Sequence, residues 1–519
     1  MRQMSAGVKT VILAAAIAVS VGCAPAAAQS PGLPTVPIPT SPGNASINPF
    51  EGAPASANPV GGMTPPPQHP FMAPNGRNNI HNDAYMSDTY TVSGPMADGA
   101  EVSTLFFREC ASVMFDSAGR IVTICVGLDR PVLALLHPHT LQTLAAMPLP
   151  VRNLQSGANP FNDFSGGGYF YLDQLDRAVL ATNDRHVLEV AITAGPGFAT
   201  TRDYDLNGHV ATNDGIISVL PDWSGRFWFV TRRGKVGTID RDSGAVHSIQ
   251  LAGEGISNSF AVDETGGVFI VSDKALYRFD AGPAGEPLVS WRLVYPNSGV
   301  HKPSQSDAGS GTTPTLMGNR WVAITDNADP MNVQVYERAK SLDAAKKAKK
   351  KGRREAKQRL VCAEPVFRTG ASATDNTLIG TDNSIIAENN FGYSGVTATT
   401  NGGVTEPGLA RIDVVEQQTK RKAAVSYSCK TIWTSDERAP SVVPKLSLAN
   451  GLVYTYTKPP RADGEDAWFL TTLDFRTGQT VFRRLAGSGF GHNNNYAPVT
   501  IGPDGTAYVG VLGGLVAFR

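Results

Sequence analysis

From about residue 86 to Arg519 the chain alternates short apolar runs with turn signals. The clearest example is residues 113–124, in which an apolar run, an Asp-Ser-Ala-Gly turn and a second apolar run follow one another. The same pattern returns at residues 219–230 and 260–271. Short apolar runs bounded by Asp, Gly and Ser are typical of β-strands joined by tight turns. We therefore predict an all-β fold.

The turn glycines indicate a repeat of about fifty residues, which is typical of β-propeller blades of four short strands each. These glycines are Gly119, Gly225, Gly266, Gly318, Gly451 and Gly505. We predict an eight-bladed β-propeller over residues 86–519, with seven blades as the alternative. The predicted units start near residues 111, 165, 216, 256, 310, 378, 441 and 496. Residues 89–92 or residues 102–107 would supply the strand that completes the last blade.

The first residues have the pattern of an export signal. Two basic residues precede an apolar stretch over residues 11–21, and residues 26–28 are alanines of the kind that precede a signal-peptidase cleavage site. We predict a signal peptide over residues 1–28 and an exported protein, which is secreted, periplasmic or associated with the cell envelope. Cys23 follows a small residue, so a lipoprotein anchored through Cys23 is the alternative.

Four cysteines lie beyond the signal region. An even number of cysteines in an exported chain favours two disulfides. Four cysteines allow three pairings, and we favour Cys110–Cys125 and Cys362–Cys429 because each pair lies in strands that we predict to be neighbours.

Residues 29–85 are rich in Pro, Ala, Asn and Gly, for example in the triple proline 65–67. A segment of this composition has little apolar surface with which to offset its chain entropy. We therefore predict a disordered linker between the signal peptide and the propeller.

Residues 338–359 interrupt the strand pattern with eleven Lys or Arg residues and two acids. We predict a basic, helical insertion here, because the run is rich in helix-forming Ala and Lys. The insertion could contact an anionic surface, and the alternative is a solvated excursion without a partner. The whole chain has 45 basic and 45 acidic residues, and this balance argues against a sequence-specific nucleic-acid binder.

Polar side chains are expected to gather on one face of the propeller. If the Asp-x-x-Gly turns join first to second strands, the residues that end the second strands meet on the opposite face. Residues 325–330 and 387–392 follow the second strands of consecutive blades. Carboxylate and amide oxygens suit Ca²⁺, which is the one cofactor that the sequence predicts. The hypothetical calcium ligands are Asp326, Asn327, Glu388 and Asn389.

The alternative is that these side chains close turns through hydrogen bonds to the backbone. On the same face, Asp329 is the candidate general base, and His492 in a Gly- and Asn-rich connection is the candidate acid–base group. The predicted ligand contacts are His301, Lys302, Asn390, Asn493 and Asn494. No Gly-x-Ser-x-Gly elbow, phosphate loop or His-Glu-x-x-His motif is present in the sequence.

Residues 473–482 join a strand ending in Asp, a Thr-Gly turn and a strand with an aromatic residue, and residues 238–247 and 505–518 are similar. These repeats resemble the repeat of the quinoprotein (PQQ)-like β-propeller superfamily, which implies the propeller fold. Active quinoprotein alcohol dehydrogenases of that family hold pyrroloquinoline quinone over a Cys-Cys ring. This chain has no adjacent cysteines, and Phe482 stands where the repeat has Trp, so we do not expect it to bind PQQ.

The sequence therefore predicts an exported β-propeller that binds a small molecule or a protein on its polar face. We favour a non-catalytic binding or scaffold role because no cofactor-specific motif is present. The alternative is a calcium-dependent hydrolase of the lactonase type, or a quinone-linked oxidoreductase, with the acidic residues above around the metal.

Overall fold

The protein is an eight-bladed β-propeller. The computed structural model describes residues 47–97, 102–106, 108–127, 130–152, 165–342, 358–417 and 426–519, all within one compact unit. The predicted blade number is confirmed, and the first strand of each blade begins within about six residues of the predicted start. The predicted signal peptide lies outside the described residues. None of the helices in the described ranges has the length and apolar character needed to span a bilayer.

Three strands precede the first complete blade, and they are β1 (Phe50–Gly52), β2 (Thr89–Tyr90) and β3 (Val102–Phe106). Blades 1 and 2 comprise β4 (Glu109–Phe115), β5 (Ile121–Val126), β6 (Val132–Leu136), β7 (Thr143–Pro148), β8 (Tyr171–Leu172), β9 (Ala178–Ala181), β10 (His186–Thr193) and β11 (Gly197–Asp205). Blades 3 and 4 comprise β12 (Ile216–Pro221), β13 (Phe227–Thr231), β14 (Lys235–Ile239), β15 (Val246–Gln250), β16 (Ala261–Val262), β17 (Val268–Val271), β18 (Ala275–Ala281) and β19 (Pro287–Val294).

Blades 5 and 6 comprise β20 (Thr315–Met317), β21 (Trp321–Thr325), β22 (Asn332–Glu337), β23 (Leu360–Pro365), β24 (Ile379–Gly380), β25 (Ser384–Glu388), β26 (Leu409–Gln417) and β27 (Ser426–Ser435). Blades 7 and 8 comprise β28 (Lys445–Ser447), β29 (Leu452–Thr457), β30 (Ala467–Asp474), β31 (Thr480–Ser488), β32 (Val499–Ile501), β33 (Ala507–Val511) and β34 (Gly514–Phe518). A short 3-10 turn covers Phe490–His492.

Strand burial follows the position of each strand within its blade. The second strand β13 is buried at every residue because neighbouring blades pack on both of its faces, whereas the outer strand β15 of the same blade has only half-buried and exposed residues. The first strands β12 and β20 are also completely buried. The first strand of each blade therefore lies innermost, around the central channel.

Aspartates at the ends of the first strands close the turns to the second strands. Asp116 accepts hydrogen bonds from the backbone N–H groups of Ala118 and Arg120, at 3.1 and 2.8 Å. The same arrangement occurs at Asp173, Asp222 and Asp263. We call this side of the propeller the turn face and the opposite side the cap face.

The ring is closed by the outermost strand of blade 8. β3 pairs with β34 in antiparallel register, so residues 102–106 complete the blade that residues 499–518 begin. Of the two predicted closing segments, the one at residues 102–107 is confirmed over its described part, residues 102–106. The other, at residues 89–92, instead places β2 in parallel pairing with β28 at the inner edge of blade 7.

Both predicted disulfides are confirmed. Cys110–Cys125 joins the paired strands β4 and β5 within blade 1, with 3.9 Å between the Cα atoms. Cys362–Cys429 joins the outer strands β23 and β27 of blades 5 and 6, with 5.4 Å between the Cα atoms. The second disulfide therefore links two adjacent blades at the rim of the propeller.

Residues 47–97 pack on the propeller, and we call them the strap. β1 adds a strand outside β31, and the backbone N–H of Thr64 donates to Asp382 of blade 6 at 3.0 Å. Further along, the His69 ring lies 4.1 Å from the Trp223 ring of blade 3. The strap therefore crosses the turn face from blade 7 through blade 6 to blade 3.

Residues 78–88 of the strap then enter the central channel, and we call them the plug. The backbone carbonyls of Ala84, Tyr85, Ser87 and Asp88 accept hydrogen bonds from the first strands of blades 4, 5, 6 and 7. The prediction of a disordered linker over residues 29–85 is therefore wrong for residues 47–85. Ordering this segment costs chain entropy, and its composition offers little apolar burial to offset that cost. Backbone hydrogen bonds to the inner strands offset it instead. Residues 29–46 lie outside the described residues.

The basic insertion joins β22 to β23, the third and fourth strands of blade 5. Residues 343–357, on which the helix prediction mainly falls, lie outside the described residues. Arg338 and Arg359 at its two ends are buried. The Arg338 guanidinium lies 4.7 Å from the centre of the Tyr85 ring of the plug, and the Arg359 guanidinium lies 5.0 Å from the Trp291 ring. Both ends of the insertion are therefore anchored to aromatic rings by cation–π contacts.

Candidate ligand cleft on the cap face

Connections between blades cross the cap face and close the channel from that side, and we call these connections the cap. The Tyr496 hydroxyl, between blades 7 and 8, donates a hydrogen bond of 2.5 Å to the Ser304 carbonyl, between blades 4 and 5. Ser304 has φ 110° and Tyr496 has φ 63°, in the left-handed region that non-glycine residues rarely adopt. Residues held in such a conformation cost about 1–3 kcal/mol each and concentrate at functional sites.

A polar cleft of about 270 Å³ opens beside this contact. It is lined by residues 301–306, residues 393–395 and Tyr496. His301 and Ser394 are exposed at its rim, and the ring of Tyr393 meets the ring of Tyr496 edge to face, with 5.5 Å between their centres. The cleft therefore combines hydrogen-bonding groups with an aromatic wall.

Two of the predicted ligand contacts, His301 and Lys302, line this cleft. The Lys302 ammonium is buried and donates to the carbonyls of Ala328 and Ser372, at 2.5 and 3.0 Å. Burial lowers the pKa of Lys302, and the negative charges of Asp329 and Asp326 oppose that shift. The Lys302 ammonium therefore supplies positive charge near Asp326, a predicted calcium ligand, and near Asp329, the predicted general base.

The other three predicted contacts have structural hydrogen bonds. Asn390 accepts from the Thr374 hydroxyl at 2.8 Å. The Asn493 amide donates to the Val396 carbonyl at 2.6 Å, and the Asn494 amide donates to the Ala497 carbonyl at 2.9 Å. All three asparagines are buried, so in this structure they stabilise the cap and do not face the cleft.

His492 is only 1% exposed, and its Nδ1 lies 3.0 Å from the Ser488 carbonyl. Burial lowers its pKa, so the neutral imidazole with a proton on Nδ1 is the form that satisfies this contact. A buried neutral histidine is poorly placed for the acid–base role that the sequence suggested. Asp329 is exposed, and its Oδ1 accepts the backbone N–H of Gly370 at 2.7 Å.

Most side-chain oxygens of the four hypothetical calcium ligands accept hydrogen bonds, but Asn327 Oδ1 and Glu388 Oε2 are buried and have no partner among the described residues. Asp326 accepts from the Asn332 and Gln334 side chains at 2.7 and 2.6 Å. The remaining contacts join Asn327 to Asn297 and Val300, Asn389 to Ala371 and Ala373, and Glu388 to Asn390. Over the described residues, no three His, Cys, Asp or Glu side chains are arranged to hold a metal. Asp326 also accepts the backbone N–H groups of Ala328 and Asn332, which matches turn closure at this residue, and calcium binding stays a prediction.

A small cavity of about 20 Å³ lies between the cap and the plug. Ser306 and Tyr496 line both this cavity and the outer cleft, so the cap is a thin partition between them. Asp375 lines the cavity and was missed by the sequence analysis. The available signal was the triplet Thr-Asp-Asn at residues 374–376, which is identical to residues 325–327 in the preceding blade.

Glu109 also supports the cap, because its carboxylate accepts the backbone N–H of Asn495 at 3.2 Å. It is 5% exposed, and burial raises its pKa to about 8. As pH rises from about 4.5 to 8, the unfolded chain loses this proton while the folded protein keeps it, so this group's contribution to stability falls. We therefore expect the Tm of Glu109→Gln to rise relative to that of the wild type as the pH increases through this range.

The measurement is thermal unfolding of both proteins between pH 5 and pH 9, where the wild-type carboxyl ionises and the amide does not. The control is Glu416→Gln, at an exposed position of β26. A Tm difference for Glu109→Gln that is independent of pH would contradict the assignment.

No family model matches the chain. A protein from Archaeoglobus fulgidus, described as uncharacterized, is 28% identical over 337 residues, which cover 59% of this chain. The chain spans about 61% of the length of that relative.

Solved structures with similar folds include BamB from Moraxella catarrhalis, at 13% identity and TM-score 0.40, over 66% of this chain and 93% of that one. A quinohemoprotein alcohol dehydrogenase from Pseudomonas putida is similar at 9% identity and TM-score 0.49, over 86% of this chain and 80% of that one. A streptogramin B lyase is similar at 8% identity and TM-score 0.36, over 81% of this chain and 97% of that one. The assignment of eight blades rests on the strand pairing described above.

Proposed function

We propose that this protein is an exported β-propeller that binds a small polar molecule in the cleft on the cap face, without catalysing a reaction. The observation that carries the proposal is the contact between Ser304 and Tyr496, two non-glycine residues at positive φ that form the floor of the cleft. Backbone strain of this kind is retained where the surrounding structure needs one particular loop conformation.

Access to the channel supports the choice of face. The plug fills the channel from the turn face, and its carbonyls are paired with the inner strands of four blades. The cleft of about 270 Å³ opens on the cap face, and its size is near the lower limit for small-molecule sites. A small ligand is therefore favoured over a protein partner at this cleft.

The lining residues indicate the chemistry of the ligand. His301 and Ser394 are exposed, and Tyr496 offers a partly exposed ring. His301 Nε2 already contacts the Gln305 carbonyl, so Nδ1 is the ring nitrogen that a ligand would meet. Such a set suits an uncharged polar molecule with one flat or apolar face. Lys302 holds the surrounding loops through carbonyls and is not needed for ligand contact.

Filling the cleft is expected to abolish binding. Ser394→Trp places a large side chain at the rim, and Ser117→Trp places the same side chain at an exposed position in a turn of the opposite face. The measurement is equilibrium dialysis against a pool of polar metabolites followed by mass spectrometry. We expect at least one metabolite to be enriched about tenfold by the wild type and Ser117→Trp but not by Ser394→Trp. Equal enrichment by the two Trp variants would argue against this cleft.

Export is proposed from the signal pattern, and the two disulfides support it because such bonds persist in oxidising compartments. We expect the mature protein to begin at Gln29 after cleavage behind Ala28. Intact-mass measurement of the exported protein tests this proposal. A chain that begins at a lipid-modified Cys23 would support the anchored alternative, and an uncleaved chain would contradict both.

A further inference from the structure

The small cavity between the cap and the plug has a chemistry of its own. Oxygen-bearing side chains dominate its lining, and they are Tyr169, Asn258, Ser306, Asp375, Asn376, Thr377 and Tyr496. Its volume of about 20 Å³ holds one particle of the size of a water molecule. No Lys or Arg is among the described residues that line it.

Two oxygen atoms at this cavity have no hydrogen-bond donor. Asp375 accepts the backbone N–H of Ser306 on Oδ2 at 2.6 Å, but its Oδ1 is enclosed and has no partner among the described residues. Asn376 is 2% exposed and donates from Nδ2 to the Val442 carbonyl, while its Oδ1 also has no partner. Unpaired buried acceptors are costly, so both indicate a missing electropositive group.

The neighbouring histidine does not supply that group. His81 Nδ1 lies 3.1 Å from Asp88, and its Nε2 lies 3.2 Å from the Thr377 hydroxyl. Asp88 already pairs with the buried Lys445 ammonium. The neutral tautomer with its proton on Nδ1 satisfies both contacts of the ring, because Nδ1 donates to Asp88 and Nε2 accepts from the Thr377 hydroxyl. The lone pairs of the Thr377 oxygen then remain available to another group.

We propose that this axial cavity binds one monovalent cation of about the size of a water molecule, such as K⁺ or ammonium. One carboxylate matches a single positive charge, and the surrounding amide and hydroxyl oxygens match the hard ligands that such ions take. A bound water could satisfy the two acceptors, but it would not compensate the charge of the Asp375 carboxylate, and burial without such compensation raises the pKa of this carboxyl to about 7. The cation links residues 375–377 of blade 6 to Ser306 of the cap.

Thermal unfolding of the full chain in different chloride salts at equal ionic strength tests this site. We expect KCl or ammonium chloride to raise Tm by about 2–4 °C over choline chloride, whose cation is too large for the cavity. Asp375→Asn should abolish this difference, and Asp504→Asn, the same change at an exposed position on the turn face, should keep it. A Tm that is the same in all chlorides, or that responds to CaCl₂ alone, would overturn the proposal.

Crystals soaked in a thallous salt provide a second measurement that does not depend on the folding of a variant. An anomalous peak within the cavity beside Asp375 supports the site. Density for a water alone, with no anomalous signal, overturns it even if the Tm responds to salt. Salt stabilisation that persists in Asp375→Asn would also exclude this carboxylate as the ligand.

Discussion

Replacing Lys445 with Met is expected to lower the free energy of unfolding by about 3–5 kcal/mol. The Lys445 ammonium and the Asp88 carboxylate form an ion pair in which both side chains are 0% exposed. The ammonium also donates to the Ile80 carbonyl of the plug at 2.6 Å. The large cost arises because the substitution leaves the Asp88 charge buried with only His81 beside it.

The double variant Lys445→Met with Asp88→Asn separates this cause from loss of packing. Asp88 has φ 54°, a conformation that Asn tolerates, so the second change removes the charge with little backbone cost. We expect the double variant to recover at least about 1 kcal/mol relative to Lys445→Met in chemical denaturation. A single variant as stable as the wild type would contradict the view that this pair holds the plug in the channel.

The second large effect is expected at the base of the basic insertion. Arg338→Met should lower the free energy of unfolding by about 3 kcal/mol. The Arg338 guanidinium donates to the Tyr85 hydroxyl at 2.9 Å and to Glu264 at 3.0 Å, and its side chain is 2% exposed. Its removal leaves the buried carboxylate of Asp263, 3.5 Å away, with weaker compensation.

Lys340→Met is the matched control, two positions further along the chain. The Lys340 side chain is 63% exposed, and its ammonium lies 3.6 Å from Asp280. Because the lysine is exposed and the buried Asp280 keeps its pair with Arg278 at 3.0 Å, we expect a change within about 0.5 kcal/mol. Chemical denaturation checks both values through the shift of the midpoint, provided that the dependence of the free energy of unfolding on denaturant concentration is unchanged. Equal effects at the two positions would mean that the stability comes from the charge of the insertion and not from the contact with the plug.

Local chemistry made most of the propeller predictable from the sequence. Each Asp-x-x-Gly turn is closed by contacts within about five residues, as at Asp116, so its signal is complete in a short stretch of chain. The pairing of Cys110 with Cys125 follows from the same hairpin. The strap was not predicted, because its order comes from backbone hydrogen bonds to strands hundreds of residues away and not from its own composition.

The ligand site on the cap face stays a prediction, and the structure brings two of its predicted residues together at one cleft. His301 and Lys302 line the cleft, because loops between blades on that side do converge. The carboxylates and amides at the strand ends, such as Asp326, could not be assigned from sequence, since turn closure and metal binding need the same oxygens. Tyr496 lies at the cleft and Asp375 lines the cavity because the chain brings each of them close to residues of other blades. A pattern in the local sequence does not show such contacts.

The pairing of β3 with β34 determines when the ring can form. These strands lie about 400 residues apart in the sequence, so seven blades emerge from the ribosome before the eighth can be finished. Until then β3 presents an unpaired backbone edge that can recruit a strand of another chain. Joining such distant segments costs entropy that grows only logarithmically with length. Assembly therefore ends in one late step, in which β3 pairs with β34.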